Sequence, residues 1–199
     1  MNPELTQPSL LSRVRDPANE GAWREFEGKY RELVLRFCRA RGMGHMDSED
    51  VLQTVMTALI KSLPQFTYDP QRGRFRDYLY RCVRNAITQQ AARPKHAARS
   101  LDTSMMAAIG ANDEAALERL WTQEWVNHHY RMALDTVHTS FEPRSVDMFE
   151  RSIRGESVES LAAAFDTTTQ AVHKVRQRIR ARMEELISQQ VREEDAVDE

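Results

Sequence analysis

SVESLAAAFDTTTQAVHKVRQRI, running from Ser157 to Ile179, is the stretch that decides the fold. Ser157 is a residue that caps helices, and Val158, Leu161, Ala162 and Phe165 follow at steps of three and four. Asp166-Thr167 breaks the pattern. A second apolar stripe then runs through Val172, Val175, Ile179, Met183 and Leu186. The spacing predicts a short helix, a tight turn and a longer helix, which is helix-turn-helix spacing. Such turns often hold Gly; Asp166 takes its place here, and Asp tolerates left-handed backbone better than most residues.

In motifs of this spacing the second helix enters the major groove of DNA, N-terminal residues first. The outward residues here are Thr168, Thr169, Gln170, His173, Lys174 and Gln177, whose short polar groups and amides suit base edges. Arg176 and Arg180 suit phosphates. The plainer alternative is an amphipathic hairpin with a solvated basic face.

The helical period extends over the rest of the chain. Asp16-Pro17 opens a long helix striped by Trp23, Phe26, Tyr30, Leu33, Val34 and Phe37, ended by Gly42 and Gly44. Asp47 or Ser48 caps the next, whose face is Val51, Leu52, Val55, Met56, Leu59, Ile60 and Leu63, and Pro64 stops it. After the turn Asp69-Pro70-Gln71-Arg72-Gly73, a third helix begins near Arg74. Residues 94–112 lack a period. From about residue 113 helices resume, the first carrying Trp121 and Trp125, the next opening at Pro143 and ending at Gly155. The expectation is an all-α chain of two small helical domains, 1–93 and 113–188, joined by a flexible linker at 94–112. The second holds the helix-turn-helix, and an acidic, disordered tail occupies 189–199.

The 199 residues carry a formal net charge of −2, which taken alone argues against nucleic-acid binding. The distribution argues for it. Arg72, Arg74, Arg76, Arg81, Arg84, Arg93, Lys95 and Arg99 face one acid, Asp77, between residues 72 and 99. Between Thr167 and Met183 there are cations and no acid. Around the first patch, Phe66, Tyr68, Phe75, Tyr78 and Tyr80 interleave with arginines. Aromatic faces for stacking and cations for the backbone are what single-stranded nucleic acid needs. The competing reading makes Phe75, Tyr78 and Leu79 core and the arginines a solvated face. A third signal is the acidic helix start Asp47, Glu49, Asp50 with Gln53, for which a solvated helix end is the default.

No apolar run spans a bilayer, no secretion signal opens the chain, and Cys38 and Cys82 read as buried reduced thiols, so a cytoplasmic location is expected. His128 and His129 are adjacent and read as surface or packing residues. No catalytic set, cofactor motif or metal motif is present, so the chain is expected to be no enzyme and to need no cofactor.

Taken together, these segments resemble the sigma-70 family in its extracytoplasmic-function group. Trp23-Arg-Glu-Phe26 to Arg41-Gly42, Asp47-Ser-Glu-Asp50-Val-Leu-Gln53, Leu63-Pro-Gln-Phe66, Tyr68-Asp-Pro70, Gly73-Arg-Phe75-Arg and Arg84-Asn85 are similar to that group's region 2. Phe141-Glu-Pro143, Ser160 to Phe165 and Ala171 to Leu186 are similar to its region 4. The opening Ser9 to Pro17 and the phrase Ser140-Phe-Glu-Pro-Arg144 resemble a planctomycete-like subset. Thr54 stands where the family often has Glu, and Tyr78 where Trp is frequent.

The resemblance implies a promoter-recognition factor that leaves all chemistry to RNA polymerase. Asp47, Glu49, Asp50 and Gln53 would dock on the β′ clamp helices of core polymerase. Phe66, Tyr68, Arg72, Arg74, Arg76, Tyr78, Arg81, Arg84 and Asn85 would open and hold the −10 element. Thr168, Thr169, Gln170, His173, Lys174, Arg176, Gln177 and Arg180 would read the −35 duplex, and their module would also contact the β flap. A separate anti-sigma protein is a further candidate partner; no membrane is implied, and the free chain is expected to be monomeric. The alternatives are an autonomous helix-turn-helix regulator and, more remotely, a small nucleic-acid enzyme.

Overall fold

The computed structural model describes residues 9–65, 74–92 and 114–195. Among them every regular element is helical, as the periodicity predicts. The order is α1 (Leu10–Arg13), α2 (Glu20–Ala40), α3 (His45–Ser62) running into a 3-10 turn (Leu63–Gln65), α4 (Phe75–Ala91), α5 (Glu114–Ser140), α6 (Pro143–Ile153), α7 (Val158–Ala164) and α8 (Thr169–Asp195). The expected linker, the turn at 69–73 and the last four residues lie outside the described residues.

Local chemistry sets the helix ends. The Asp16 carboxylate accepts from the Ala18 N–H at 2.9 Å, so Asp16-Pro17 forms a turn before α2 instead of its first turn. Asn19 is the cap of α2, accepting from the Ala22 N–H at 3.1 Å. Gly42 follows α2 with φ 78°, a left-handed position that favours glycine. The helix α3 begins at His45, before the expected Asp47 or Ser48 cap, with Gly44 at its N-cap. Ser48 turns inward instead: it is buried, and its hydroxyl donates to the Gly44 carbonyl at 2.8 Å.

The chain divides into two compact units, Met1–Val126 with Arg192–Glu199, and Asn127–Val191. In the first, Phe26, Tyr30, Leu33, Val34 and Phe37 of α2 pack with Val51, Leu52, Val55 and Leu59 of α3 and Phe75, Leu79, Val83 and Ile87 of α4. Each such side chain contributes about 1.5–3 kcal/mol when fully buried. Trp121 and Trp125 of α5 belong to the same core: the Trp121 ring meets Phe37 edge-on at 5.2 Å, and Trp125 stacks on Tyr30 at 6.3 Å. The sequence reading groups these indoles with the second module. Periodicity reveals their stripe but not which core the stripe faces.

The end of α8 also belongs to the first unit. The helix continues to Asp195, through a stretch whose composition reads as a solvated tail. Glu194 is buried there, accepting from the Tyr30 hydroxyl at 2.7 Å and pairing with Lys29 Nζ at 3.1 Å. A phenol and an ammonium supply the partners that make burial of this carboxylate tolerable.

In the second unit, Val137 of α5, Val146 and Phe149 of α6, and Ile179, Met183 and Leu186 of α8 form one cluster. Met148, Leu161, Ala162 and Val172 form another beneath α7. His128 and His129 are both buried, and His129 Nδ1 lies 2.9 Å from the Gln190 side-chain oxygen.

Candidate nucleic-acid and partner surfaces

The short helix, turn and long helix read from Ser157 to Ile179 form as spaced. Ser157 caps α7, accepting from the Ser160 N–H at 3.1 Å. Thr168 caps α8 in the same way, through Ala171 N–H at 3.1 Å. Between them Asp166 has φ 43°, the one left-handed non-glycine among the described residues. Arg144 and Arg151 of α6 lie over the Phe165 ring at 6.0 and 5.1 Å, and Arg144 donates to the Phe165 carbonyl. Arg151 is held in turn by a two-pronged ion pair with Glu156, both contacts at 2.8 Å. That pairing holds the Glu156 carboxyl below the usual carboxylate range, with a Ser160 hydrogen bond acting in the same direction.

With Val172 and Ile179 turned inward, Thr168, Thr169, Gln170, His173, Lys174, Gln177 and Arg180 are exposed, and Arg176 is half-buried. The candidate residues of this helix therefore share one accessible surface. No carboxylate pairs with its cations between residues 173 and 180 among the described residues.

The α4 candidates separate into two groups. Arg74, Arg81, Arg84 and Asn85 are exposed, although Arg84 pairs with Glu114. Arg76 and Tyr78 are half-buried and engaged internally. Arg76 donates to the Thr122 hydroxyl, and the Tyr78 hydroxyl shares a hydrogen bond with Ser62. Burial pushes the Tyr78 phenol up, against the pull of that bond. Phe75 is core, as the plainer reading has it. Phe66, Tyr68 and Arg72 lie outside the described residues.

On α3, Glu49 is committed within the chain: both carboxylate oxygens accept from Arg31, at 2.6 and 2.7 Å. Asp50 accepts from the Gln90 side chain at 3.1 Å, which ties α3 to α4. Asp50 and exposed Gln53 line a polar groove of about 460 Å³ with Thr54, Thr57, Ala58, Lys61 and Gln89. Lys61 and Gln89 are additions that sequence reasoning misses, because neither stands in a motif and only the packing of α3 on α4 brings them together. Among the described residues no cluster of His, Cys, Asp and Glu could hold a metal ion, and no helix is long and apolar enough to cross a membrane.

These helices coincide with a known sequence pattern. Residues 28–96 match the family model described as Sigma-70 region 2. The match takes in α3, α4, the groove between them and the segment 66–73. The solved structure of CnrH in complex with the cytosolic domain of CnrY aligns over 90% of this chain and 95% of its own, at 22% identity and a TM-score of 0.35. Among curated proteins, none matches the sequence.

Proposed function

We propose that the chain is an RNA polymerase sigma factor of the extracytoplasmic-function kind, directing promoter recognition and transcription initiation. The observation that carries this reading is the Sigma-70 region 2 match over residues 28–96. In it, the polar groove side of α3, with Asp47, Asp50 and Gln53, docks on the β′ clamp helices of core polymerase. Glu49, bound to Arg31, shapes that surface. Exposed Arg74, Arg81, Arg84 and Asn85, with Phe66, Tyr68 and Arg72 of the adjoining segment, hold the opened −10 strand; stacking is worth about 1–3 kcal/mol per base. Arg76 and Tyr78 support α4 from beneath. The exposed face of α8 reads the −35 duplex as the second helix of a helix-turn-helix, and its unit contacts the β flap. All bond chemistry belongs to the polymerase. A separate anti-sigma protein would compete for the α3 or α8 surface.

The turn between α7 and α8 would serve an autonomous regulator equally well; the region 2 match favours the polymerase-dependent reading. The test is run-off transcription with core polymerase on genomic DNA of the source bacterium, with and without the protein. Protein-dependent transcripts downstream of a shared two-part motif are the expected result. Neither polymerase binding nor transcripts would overturn the proposal and make the autonomous regulator the better account.

A further inference from the structure

Two helices of the first unit lie along each other in matched rows. On α4, Arg76, Tyr80 and Arg84 recur every four residues and so share one face. On α5, Glu114, Glu118 and Thr122 do the same. The rows run in opposite directions and meet at both ends: Arg84 pairs with Glu114, and Arg76 donates to the Thr122 hydroxyl. The Thr122 hydroxyl donates in turn to the Glu118 carbonyl at 2.7 Å, which leaves its lone pairs to accept from the arginine. Each row spans about two turns, roughly 12 Å, so one register satisfies both ends.

Tyr80 stands in the middle. Its ring packs on Trp121 at 5.6 Å, and its hydroxyl is buried with no hydrogen-bond partner among the described residues. Burial raises the phenol, the Glu114 and Glu118 carboxylates add to the rise, and Arg84 and Arg41 pull against it. The acid row is thus within electrostatic reach of the middle of the α4 row as well as its end.

The seam is firm at one end and loose at the other. Trp121 and Trp125 anchor α5 in the core. Glu114 and Glu118 lie in the turns before that anchor and are exposed, as is Arg84. An exposed ion pair holds weakly and is screened by salt. A helix end also opens more readily than a core. Lifting those turns would return water to the Tyr80 hydroxyl, which offsets part of the cost.

Arg84 is one of the cations that the sigma reading assigns to the opened strand. A carboxylate and a strand phosphate are alternative partners for one guanidinium. We infer that the first two turns of α5 are an autoinhibitory strap: Glu114 and Glu118 lie along the row of Arg76, Tyr80 and Arg84 in the free chain, and single-stranded nucleic acid must displace them to reach Arg84. This rests on the reading of α4 as the strand-holding helix. It gives the acids of α5 the task of holding down the affinity of the free chain for stray single strands.

The test is binding of the full chain to a labelled single-stranded oligonucleotide of mixed sequence at low salt. Glu114→Gln with Glu118→Gln keeps two good helix formers and removes the competing charges. It should tighten binding about two- to fivefold. Glu20→Gln with Glu25→Gln takes the same charge from α2, where the acids pair with Arg24 and Arg13, and should tighten binding less. On an Arg84→Gln background the Glu114/Glu118 change should gain no more than that control. No gain, an equal gain from the α2 control, or a gain that survives Arg84→Gln in full would each overturn the inference. Arg81→Gln, at an exposed cation outside the row, judges the reading of α4 separately. If it weakens strand binding while the Glu114/Glu118 change gains nothing, the strap falls and α4 remains the strand-holding helix. If it has no effect in the wild type or in the Glu114/Glu118 variant, that reading falls and the strap with it.

Discussion

Asp166 sits where the chain must reverse between α7 and α8, at φ 43°. A non-glycine residue in left-handed backbone costs about 1–2 kcal/mol, less for Asp, whose short side chain can bond locally. The position was legible in the sequence because a turn of this length needs such a residue and Asp is among the few that accept it. Asp166→Val should therefore lower stability by about 1–2 kcal/mol, and Asp166→Gly should change it by less than about 1 kcal/mol. Urea unfolding of the two variants beside the wild type checks this. Equal losses in both would mean that the carboxylate, not the backbone, matters there. The thiols make a second prediction at this scale. Burial pushes Cys38 up to about 12, with Arg41 and Arg39 pulling weakly the other way. Burial also raises Tyr30 well above the usual phenol range, helped by Glu194. The folded state thus keeps protons that the unfolded chain releases above about pH 8.5–10. Stability carried by these groups is complete below that window and falls as pH rises through it. Urea midpoints should be level near neutrality and drop from about pH 9 upward, and Cys38→Ala should flatten the first part of the drop. Glu49 was less legible: three acids and a glutamine look like one docking patch, and the sequence does not say that Arg31, eighteen residues earlier, occupies Glu49 at both oxygens.

At the scale of elements, stripes of apolar residues translate into helices whose cores match closely. Val51, Leu52, Val55 and Leu59 are buried as the period requires, while Ile60 stays exposed at the margin of the stripe. Helix starts are less readable when no side chain caps them, as at Gly44. The largest gap lies in α5. Its apolar residues serve the first core at Trp121 and Trp125 and the second at Ala133 and Val137. A period of three to four repeats through both, so the change of partner leaves no mark on the sequence. Trp121 is buried to 1% exposure against Phe37 and Tyr80, so Trp121→Ala should cost about 3–5 kcal/mol. The near-ultraviolet signal of the first unit should be lost early in a denaturant titration. A loss below about 1 kcal/mol would mean that the first core is complete without α5.

At the scale of the whole molecule, the decisive contacts are those that no local pattern can contain. Tyr30 and Glu194 are separated by 164 residues and meet at 2.7 Å in a buried site. The acidic run at 193–195 reads locally as solvated, because nothing near it supplies a partner. Lys29 and Tyr30 supply it, on a helix at the other end of the chain. Among the carboxylate's ties are a neutral donor, Tyr30, and a cation, Lys29, and substitution can separate them. Tyr30→Phe removes the hydroxyl alone and should cost about 1–3 kcal/mol, since a buried acceptor loses its donor. Glu194→Gln keeps an acceptor for the phenol but removes the charge facing Lys29, leaving an ammonium at 12% side-chain exposure without its partner. That loss should be of similar or greater size. Because both changes act on one site, their costs should not add: the double variant should fall short of the sum by about 0.5–3 kcal/mol in urea titrations. Strict additivity would separate Tyr30 from Glu194 energetically, and the acidic end of α8 would then be a solvated tail after all.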